Sequence, residues 1–247
     1  MMQAIILAGG SQAQLHPWAA HTPKPMLPFF DRPVTEHIIR LLARHDIRDI
    51  IITTSGRTMD VPEYFGDGSN LQVNLRYSIE DKPAGTAGAI RRVESLLTGT
   101  FIVISSDIIT DLDISAAIDE HKSAGAIATV LTHQVGDPTG FGVLCWDETG
   151  KISKFVEKPR STEVFSDTIS TGIYVLEPKV ISNIAPYSTQ DFARHVFPLL
   201  LRNQESMHAS HLPGYWCDLG AILHYRPAHY AALQGIVRIA LPAVYAG

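Results

Sequence analysis

Two aspartates and two lysines have the residue types and surroundings from which phosphate chemistry could be built. Asp107 comes shortly after the apolar segment 100–105, and Asp218 lies in the aromatic stretch YWCDLG. Lys24 lies between two prolines, which fix φ and hold the cation on a stiff backbone. Lys158 is the lysine of the stretch VEKP. Carboxylates bind hard divalent cations and lysines bind phosphates as point charges, so these four residues are the first candidates for a site.

Each of the four also has an ordinary structural explanation, which the residues alone leave open. Asp107 and Asp218 could cap helix N termini. Lys24 could be a solvated loop residue, and Lys158 could form a surface ion pair with the glutamate before it. Better candidates for helix caps are Asp111 and Asp113.

Paired glycines indicate where a phosphate could contact the backbone. The stretch LAGGS, from Leu7 to Ser11, ends an apolar segment with Gly9 and Gly10. Because glycine has no side chain, backbone N–H groups there can approach an anion. A tight turn after a buried strand would use the same two glycines, so both explanations stay open.

The candidate residues lie near the ends of elements that alternate along the first half of the chain. Apolar and β-branched segments predict five strands, at 4–8, 49–53, 73–78, 100–105 and 126–133. Helical spacing predicts helices at 33–45, 87–96 and 114–124. This alternation predicts an α/β fold with a mixed, mainly parallel central sheet and helices on both faces. Ligands bind such sheets at the carboxyl ends of the strands, which is where the candidate residues occur.

The second half of the sequence adds antiparallel elements. Residues 141–159 predict a strand, a turn and a second strand, and residues 171–178 predict another strand. Helices are expected at 191–203 and 222–233. The main domain is expected to span residues 1–235. Residues 236–247 have strand-like composition, and we expect a C-terminal strand or a stub that leads into a further module.

Composition excludes several functional classes. The net charge of -5, without a long basic block, argues against nucleic acid or an anionic membrane as a partner. No apolar segment reaches the roughly 18 residues of a membrane helix, and the first residues lack the pattern of a signal peptide. Two cysteines, Cys145 and Cys217, are too few for a disulfide scaffold or a zinc ribbon. We therefore expect a globular protein of the cytoplasm.

Eight motifs in order resemble one family. They are LAGG, PKPMLPF with Lys24, GTAGAI at 85–90, Asp107, FGV at 141–143, VEKP with Lys158, STGIYVLEP and YWCDLG. In order and spacing these motifs resemble those of the sugar-1-phosphate nucleotidyltransferases, most closely the mannose-1-phosphate guanylyltransferases. The resemblance covers nearly the whole chain. It implies a Rossmann-like fold of the nucleotide-diphospho-sugar transferase type, which a β-helix module follows in the long bacterial members.

The resemblance also implies a reaction and a set of roles. An NTP, expected to be GTP, and a sugar 1-phosphate, expected to be mannose 1-phosphate, would give NDP-sugar and pyrophosphate. Mg²⁺ would be held by Asp107 and Asp218, while Lys24 would contact the nucleotide phosphates and Lys158 the sugar phosphate. The positions implied to line the nucleotide are Leu7, Ala8, Gly9, Gly10, Ser11, Gln14, Glu80 and Gly85. Those implied to face the sugar are Gly142, Glu157, Ser170, Thr171 and Gly172.

One part of the pattern departs from the family. Its glycine-rich loop usually continues Gly-Thr-Arg, where this sequence has Gln12, Ala13 and Gln14. A neutral glutamine hydrogen bond is about half as strong as a charge-assisted one, so weakened activity is expected. The alternative is a catalytically silent, NDP-sugar-binding regulatory paralogue. We expect a homo-oligomer or an assembly with an active paralogue.

Restoring the family's residues in this loop should raise activity. Changing Gln12→Gly, Ala13→Thr and Gln14→Arg together is expected to increase pyrophosphate release at least about tenfold, because one aimed donor is typically worth about 10²–10³ in rate. Wild-type turnover within the ordinary enzyme range of about 1–10³ per second would contradict the idea of a weakened loop.

Overall fold

The computed structural model describes residues 2–9, 22–56 and 58–241. Its strands, numbered along the chain, are β1 Gln3–Leu7, β2 Pro28–Phe29, β3 Arg32–Pro33, β4 Asp49–Ser55, β5 Asn74–Glu80, β6 Phe101–Ser105, β7 Ile108–Thr110, β8 Ala128–Gln134, β9 Gly142–Trp146, β10 Ile152–Glu157, β11 Thr168–Leu176, β12 Met207–Ser210 and β13 Trp216–Asp218. Its α-helices are α1 Val34–Arg44, α2 Asp60–Phe65, α3 Gly85–Arg92, α4 Ile114–Ala124, α5 Phe197–Arg202 and α6 Ile222–Leu233. Short 3-10 segments include Lys24–Met26 and Ser69–Leu71.

The central sheet is mixed, as the sequence predicts. Seven of its strands lie in the order β10-β9-β11-β6-β1-β4-β5, while β8 pairs with β11 and β12 pairs with β8. Strands β6, β1, β4 and β5 are parallel neighbours, whereas β11 runs antiparallel to β6, β8 and β9. Outside this sheet, β13 pairs with β7 and β2 pairs with β3. The fold is thus α/β with a parallel centre and an antiparallel extension.

The parallel strands are apolar on both faces because helices cover both. Ile6 and Ile52 pack in one buried cluster with Leu42 of α1. Their neighbours in the chain pack in a second cluster on the opposite face, with residues of α3 and α5. Alternation along each strand sends successive side chains to opposite faces, so a continuous apolar segment fills both layers.

Strand register brings the candidate segments to one edge of the sheet. Leu7, the last residue of β1, lies opposite Thr53 of β4 and Ser105 of β6. Ser55 at the end of β4 lies opposite Glu80 at the end of β5. The residues that follow these strands therefore meet at the carboxyl edge, where ligands bind open α/β sheets.

Some predicted elements differ from the observed ones. The predicted helix 87–96 begins at Gly85 and ends at Arg92, after which a 3-10 turn follows. The predicted helix 191–203 is a π-helical segment, Phe192–Val196, followed by α5. Pro198 explains the change, because proline lacks an N–H and clashes with the carbonyl four residues earlier.

The predicted C-terminal strand is not found in the residues that the structure describes. Residues 236–241 are not in a strand. Val237 is buried, and the backbone N–H of Arg238 donates to Asp111 Oδ2 at 2.8 Å. Within the described ranges, no helix has the length and apolar character needed to cross a membrane.

Candidate active site

Lys24 and Asp107 form an ion pair at the carboxyl edge of the sheet. Lys24 Nζ lies 3.2 Å from Asp107 Oδ2, and the two side chains are only 13% and 19% exposed. The backbone N–H of Ser106 donates to Leu7 O, so the segment after β6 lies against the end of β1. Thr35 Oγ1 donates to Pro25 O, which ties the lysine segment to the first turn of α1. The proline-flanked lysine is thus aimed at the strand-end aspartate.

Asp218 is brought beside this pair by a small second sheet. β13 runs antiparallel to β7, with Asp218 opposite Ile108, and the backbone N–H of Leu219 donates to Asp107 O at 2.8 Å. The N–H of Gly220 donates to Asp218 Oδ1 at 2.6 Å. A Cβ at Gly220 would lie 2.7 Å from Asp218 Oδ1 and 3.0 Å from Lys24 Nζ. A side chain at this position would therefore displace the carboxylate or the lysine from the observed arrangement.

The electrostatics of the two aspartates suit a divalent cation. Burial, and then the neighbouring Asp107 carboxylate, raise the pKa of Asp218, whereas the Gly220 N–H and Lys24 act in the opposite direction. Two carboxylates around one lysine leave an excess negative charge. Among the described residues there is no cluster of three or more His, Cys, Asp or Glu that could hold a metal. A two-carboxylate site is what Mg²⁺ uses, since it keeps several waters.

The structure shows that, of the aspartates Asp111, Asp113 and Asp218, only Asp113 caps a helix. Asp113 is the N-cap of α4, where its side chain accepts from the Ala116 N–H at 2.9 Å. Asp111 caps no helix and accepts backbone N–H bonds from Tyr215 and Arg238 instead. Asp218 does not cap α6, whose N-cap residue is Ala221.

Glu80 lies next to the glycine turn, on the other side of β1. A Cβ at Gly9 would lie 3.7 Å from Glu80 Oε2, which also accepts from the Ala84 N–H at 3.4 Å. Oε1 is buried without a hydrogen-bond partner among the described residues, and Arg92 Nε is 4.0 Å away. Burial raises the pKa of the Glu80 carboxyl. Gly85, which directly follows Ala84, has a φ of +76° and is the first residue of α3.

Gly142 and Glu157 meet across the β9–β10 pair. They are partners in the antiparallel register, and a Cβ at Gly142 would lie 3.0 Å from Glu157 Oε2. Burial raises the pKa of Glu157, while the charges of Lys158 and Arg194 lower it. A Cβ at Gly142 would also lie 2.5 Å from Phe155 Cζ, so the close packing of the Phe155 ring explains why glycine is found beside this half-buried carboxylate.

The segment from Ser170 to Gly172 forms an irregular part of β11. The register with β8 shifts between Ser170 and Tyr174, and Gly172 has a φ of +77° beside Ser105. Thr171 Oγ1 donates to Leu131 O, and Thr171 O accepts from Trp216 Nε1 at 2.9 Å. The side chain and carbonyl of Thr171 are thus used within the protein, and both Ser170 and Thr171 are buried.

Two residues near this region carried no signal in the sequence analysis. Asp191 accepts from the Thr86 N–H at 3.0 Å, which places it at the start of α3. Arg194, in the π-helical segment, lies close enough to Glu157 to influence its charge. In the sequence, Asp191 and Arg194 are a charged pair three residues apart before an apolar helix, a pattern that many amphipathic segments share. Only the tertiary fold places Asp191 at the start of α3 and Arg194 near Glu157.

The remaining predicted positions lie outside the described residues. These are Gly10, Ser11 and Gln14, together with the departures Gln12 and Ala13. Leu7, Ala8 and Gly9 are described, and Ala8 is buried at the edge of the sheet. The roles of the predicted site residues, the magnesium ion, oligomerisation and cellular location stay predictions.

Comparisons with known proteins agree with this geometry. Residues 3–235 match the nucleotidyl transferase family model. The chain is 32% identical over 250 residues to a UTP–glucose-1-phosphate uridylyltransferase of Synechocystis, covering 96% of this chain and 63% of that protein. It is 33% identical over 221 residues to a mannose-1-phosphate guanylyltransferase of Mycobacterium tuberculosis, covering 89% of this chain and 61% of that protein. It thus spans less than two thirds of the length of these two relatives.

A solved structure resembles the chain over its whole length. The crystal structure of a candidate glucose-1-phosphate thymidylyltransferase from Bacillus anthracis, in complex with sucrose, superposes with a TM-score of 0.86 at 30% identity. The match covers 100% of both chains.

Lys158 has a strained backbone that a simple substitution can test. Its φ of +49° is in the left-handed region, which costs a residue with a Cβ about 1–2 kcal/mol. Lys158→Gly should therefore be more stable than Lys158→Ala by about 1 kcal/mol in denaturant unfolding. Lys154, in the middle of β10, is the matched control, and there glycine should be less stable than alanine. The same order at both positions would contradict strain at Lys158.

Proposed function

The chain belongs to the sugar-1-phosphate nucleotidyltransferase family, and we propose that it transfers a nucleotidyl group from an NTP to a sugar 1-phosphate. The observation that carries the proposal is the convergence of Lys24, Asp107 and Asp218 at the carboxyl edge of the sheet. An oxygen of the sugar phosphate attacks the α-phosphorus in line, the bond to the β-phosphate oxygen breaks, and pyrophosphate leaves.

The residues of the chain act by placing and neutralising charge. Lys24 supplies a positive charge beside Asp107, where the α-phosphate is proposed to bind. Lys158 is proposed to contact the sugar phosphate from its strained turn after β10. The backbone at Gly9, which has no side chain, is proposed to approach the nucleotide phosphates. Phosphoryl transfer needs mostly positioning and charge stabilisation, which these groups provide.

Asp107 and Asp218 fit magnesium as the cofactor. Their segments are joined by the Leu219 to Asp107 backbone hydrogen bond, and their combined charge exceeds that of Lys24. Both carboxylates supply hard oxygen ligands. When bound, the ion neutralises phosphate charge in the transition state.

The base is proposed to be guanine because of Glu80. Its buried Oε1, which has no hydrogen bond among the described residues and lies 4.0 Å from Arg92 Nε, and its Oε2 form an acceptor pair next to Gly9. Guanine offers two adjacent donors, N1–H and the N2 amino group, which match an ionised carboxylate. Uracil and thymine offer one donor between two carbonyl oxygens, which a carboxylate repels.

The sugar is proposed to be mannose, on the names of relatives such as the guanylyltransferase of M. tuberculosis. The pocket proposed for it lies beside Glu157, the half-buried carboxylate that faces Gly142 across the β9–β10 pair. A carboxylate there can accept hydrogen bonds from sugar hydroxyls.

Reduced activity remains a proposal that rests on the loop residues Gln12, Ala13 and Gln14. A silent binding subunit is the second candidate function. The retained cluster of Lys24, Asp107 and Asp218 favours catalysis, since binding alone has less need of two adjacent carboxylates.

Pyrophosphate release tests the function and the metal site together. Purified protein with Mg²⁺ should release pyrophosphate from GTP and mannose 1-phosphate faster than from UTP, dTTP or ATP with mannose or glucose 1-phosphate. Asp107→Asn and Asp218→Asn should each lower the rate at least about 100-fold. They should also abolish the magnesium dependence of GDP-sugar binding in calorimetry. Asp113→Asn, which makes the same substitution at the N-cap of α4 and keeps an oxygen that can cap the helix, is the control and should keep both.

Two results would contradict these assignments. Magnesium-dependent binding that persists in both site variants would place the metal elsewhere. Binding of GDP-mannose without turnover of any substrate pair would favour the silent subunit.

Glu80→Gln tests the choice of base. Glutamine has one donor and one acceptor, which match the edge of uracil better than that of guanine. The ratio of kcat/KM for GTP to that for UTP should fall at least about tenfold, since an unpaired buried group costs about 1–3 kcal/mol. Glu94→Gln, at a surface ion pair with Arg91, should leave the ratio unchanged. An unchanged ratio in Glu80→Gln would remove this residue from base selection.

A further inference from the structure

A cavity lined with arginines lies at the end of α1 that is remote from Lys24. Its volume is about 470 Å³, and it is enclosed by the C-terminal half of α1, the segment 71–72 and residues 239–240. Three of its nine lining residues are arginines, namely Arg40, Arg44 and Arg48, and none of the nine is acidic. The whole chain has a net charge of -5, so this cavity is locally opposite in sign.

Many of the guanidinium donors in this cavity are not used by the described part of the protein. Arg40 donates through Nε to Glu36, which leaves both of its terminal nitrogens without a hydrogen bond there. Arg44 donates through Nη1 to Arg238 O, and Arg48 donates through Nη1 to Gln72 O. Arg40 and Arg48 remain 44% and 46% exposed. The cavity therefore offers several N–H groups to a ligand.

The nearby carboxylates do not cancel this charge. Glu36 is shared between Arg40 and Arg32, at 2.8 and 3.6 Å. Asp46 pairs with Arg48 at 3.1 Å but is 90% exposed, so solvent screens it. His37, which also lines the cavity, has its pKa lowered by burial and adds no charge at neutral pH.

Stabilisation of the C-terminal end of α1 does not by itself explain why three arginines line the cavity. A cation in the last turn of α1 interacts with the helix dipole, which is worth about 0.3–1 kcal/mol and acts only over that turn. Arg44 alone lies in the last turn, and Arg48 lies beyond the helix. Nor are the arginines simply part of a solvated charged face of the helix, because such a face does not need a concave wall that includes Leu71 and Ile239.

We propose that this cavity is a second anion-binding site, which takes a small molecule carrying two or more linked phosphates. Its volume is in the range of small-molecule sites and is larger than a single phosphate needs. Arginine forks bind phosphate oxygens in pairs, and three of them spaced four residues apart match a chain of phosphates better than one. The cavity is a half-open local concavity, whereas a nucleic acid duplex requires an extended surface.

The site is separate from the candidate active site. Val34 and Thr35, at the start of α1, hold the Lys24 segment through hydrogen bonds to Leu27 O and Pro25 O. Helix α1 has 11 residues, a length of about 16 Å, and the arginines lie at its other end. A ligand in the cavity therefore contacts the same helix that positions Lys24 without entering the catalytic pocket.

Calorimetric titration with metal-free pyrophosphate tests the site. The full chain carries Lys24→Met and Lys158→Met, which remove the cations of the candidate active site, and the buffer contains EDTA. We expect one saturable binding event, which Arg40→Gln with Arg48→Gln weakens at least about tenfold, because each charge-assisted hydrogen bond is worth about 1.5–3 kcal/mol. Inorganic phosphate should bind at least about tenfold more weakly than pyrophosphate.

The matched control is the pair Arg202→Gln and Arg226→Gln, two exposed arginines outside the cavity, which should not change the affinity. If the cavity variant does not fold, Arg40→Lys with Arg48→Lys keeps the charge but loses the paired donors, and should weaken binding about threefold or more. Absence of saturable binding in the lysine-free background, or equal losses in the cavity and control pairs, would overturn the proposal. Equal affinity for phosphate and pyrophosphate would overturn the requirement for linked phosphates.

Discussion

The proximity of Asp107 and Asp218 is the constraint on which the rest of the candidate site depends. Two carboxylates in a partly buried place repel each other, and this repulsion contributes to the raised pKa of Asp218. The β7–β13 pairing and the backbone hydrogen bond from Leu219 to Asp107 hold them together nevertheless. Lys24 balances one of the two charges, at 3.2 Å from Asp107. The remaining charge is the physical reason for proposing a magnesium site at this pair.

Apolar packing away from the charges keeps Lys24 in place. Phe29 follows the lysine segment and packs against His229 of α6, with ring centroids 4.2 Å apart. It also contacts Tyr225 edge to face. Helix α6 begins just after Asp218 and Gly220, so the aromatic contacts connect the segment that carries the lysine to the segment that carries the aspartate. Burial of these aromatic rings contributes more to the stability of the arrangement than the Lys24–Asp107 ion pair does, because solvent screens the exposed part of the pair.

The two halves of the sheet provide different kinds of chemistry. The parallel half ends in a glycine turn and in strand-end polar groups, which suit phosphates and a base. The antiparallel half contributes Gly142, the half-buried carboxylate of Glu157 and the irregular β11. Lys158 directly follows β10, at the end of the strand order, in a left-handed conformation that packing must maintain. Such strain is common where a side chain has to be aimed at a ligand.

The sequence by itself determined the α/β class, the parallel centre and the family, because apolar periodicity and ordered motifs are local properties of the chain. It also identified Asp113 as a helix cap, and it marked Lys24, Asp107 and Asp218 through their local surroundings. Only the tertiary structure decided that these three meet, that Gly220 must be small, and that Asp191 and Arg194 lie near Glu157. It also replaced the predicted helix start at 191 by a π-helical segment. Distances between residues more than 80 positions apart depend on strand register and packing, which no local pattern records.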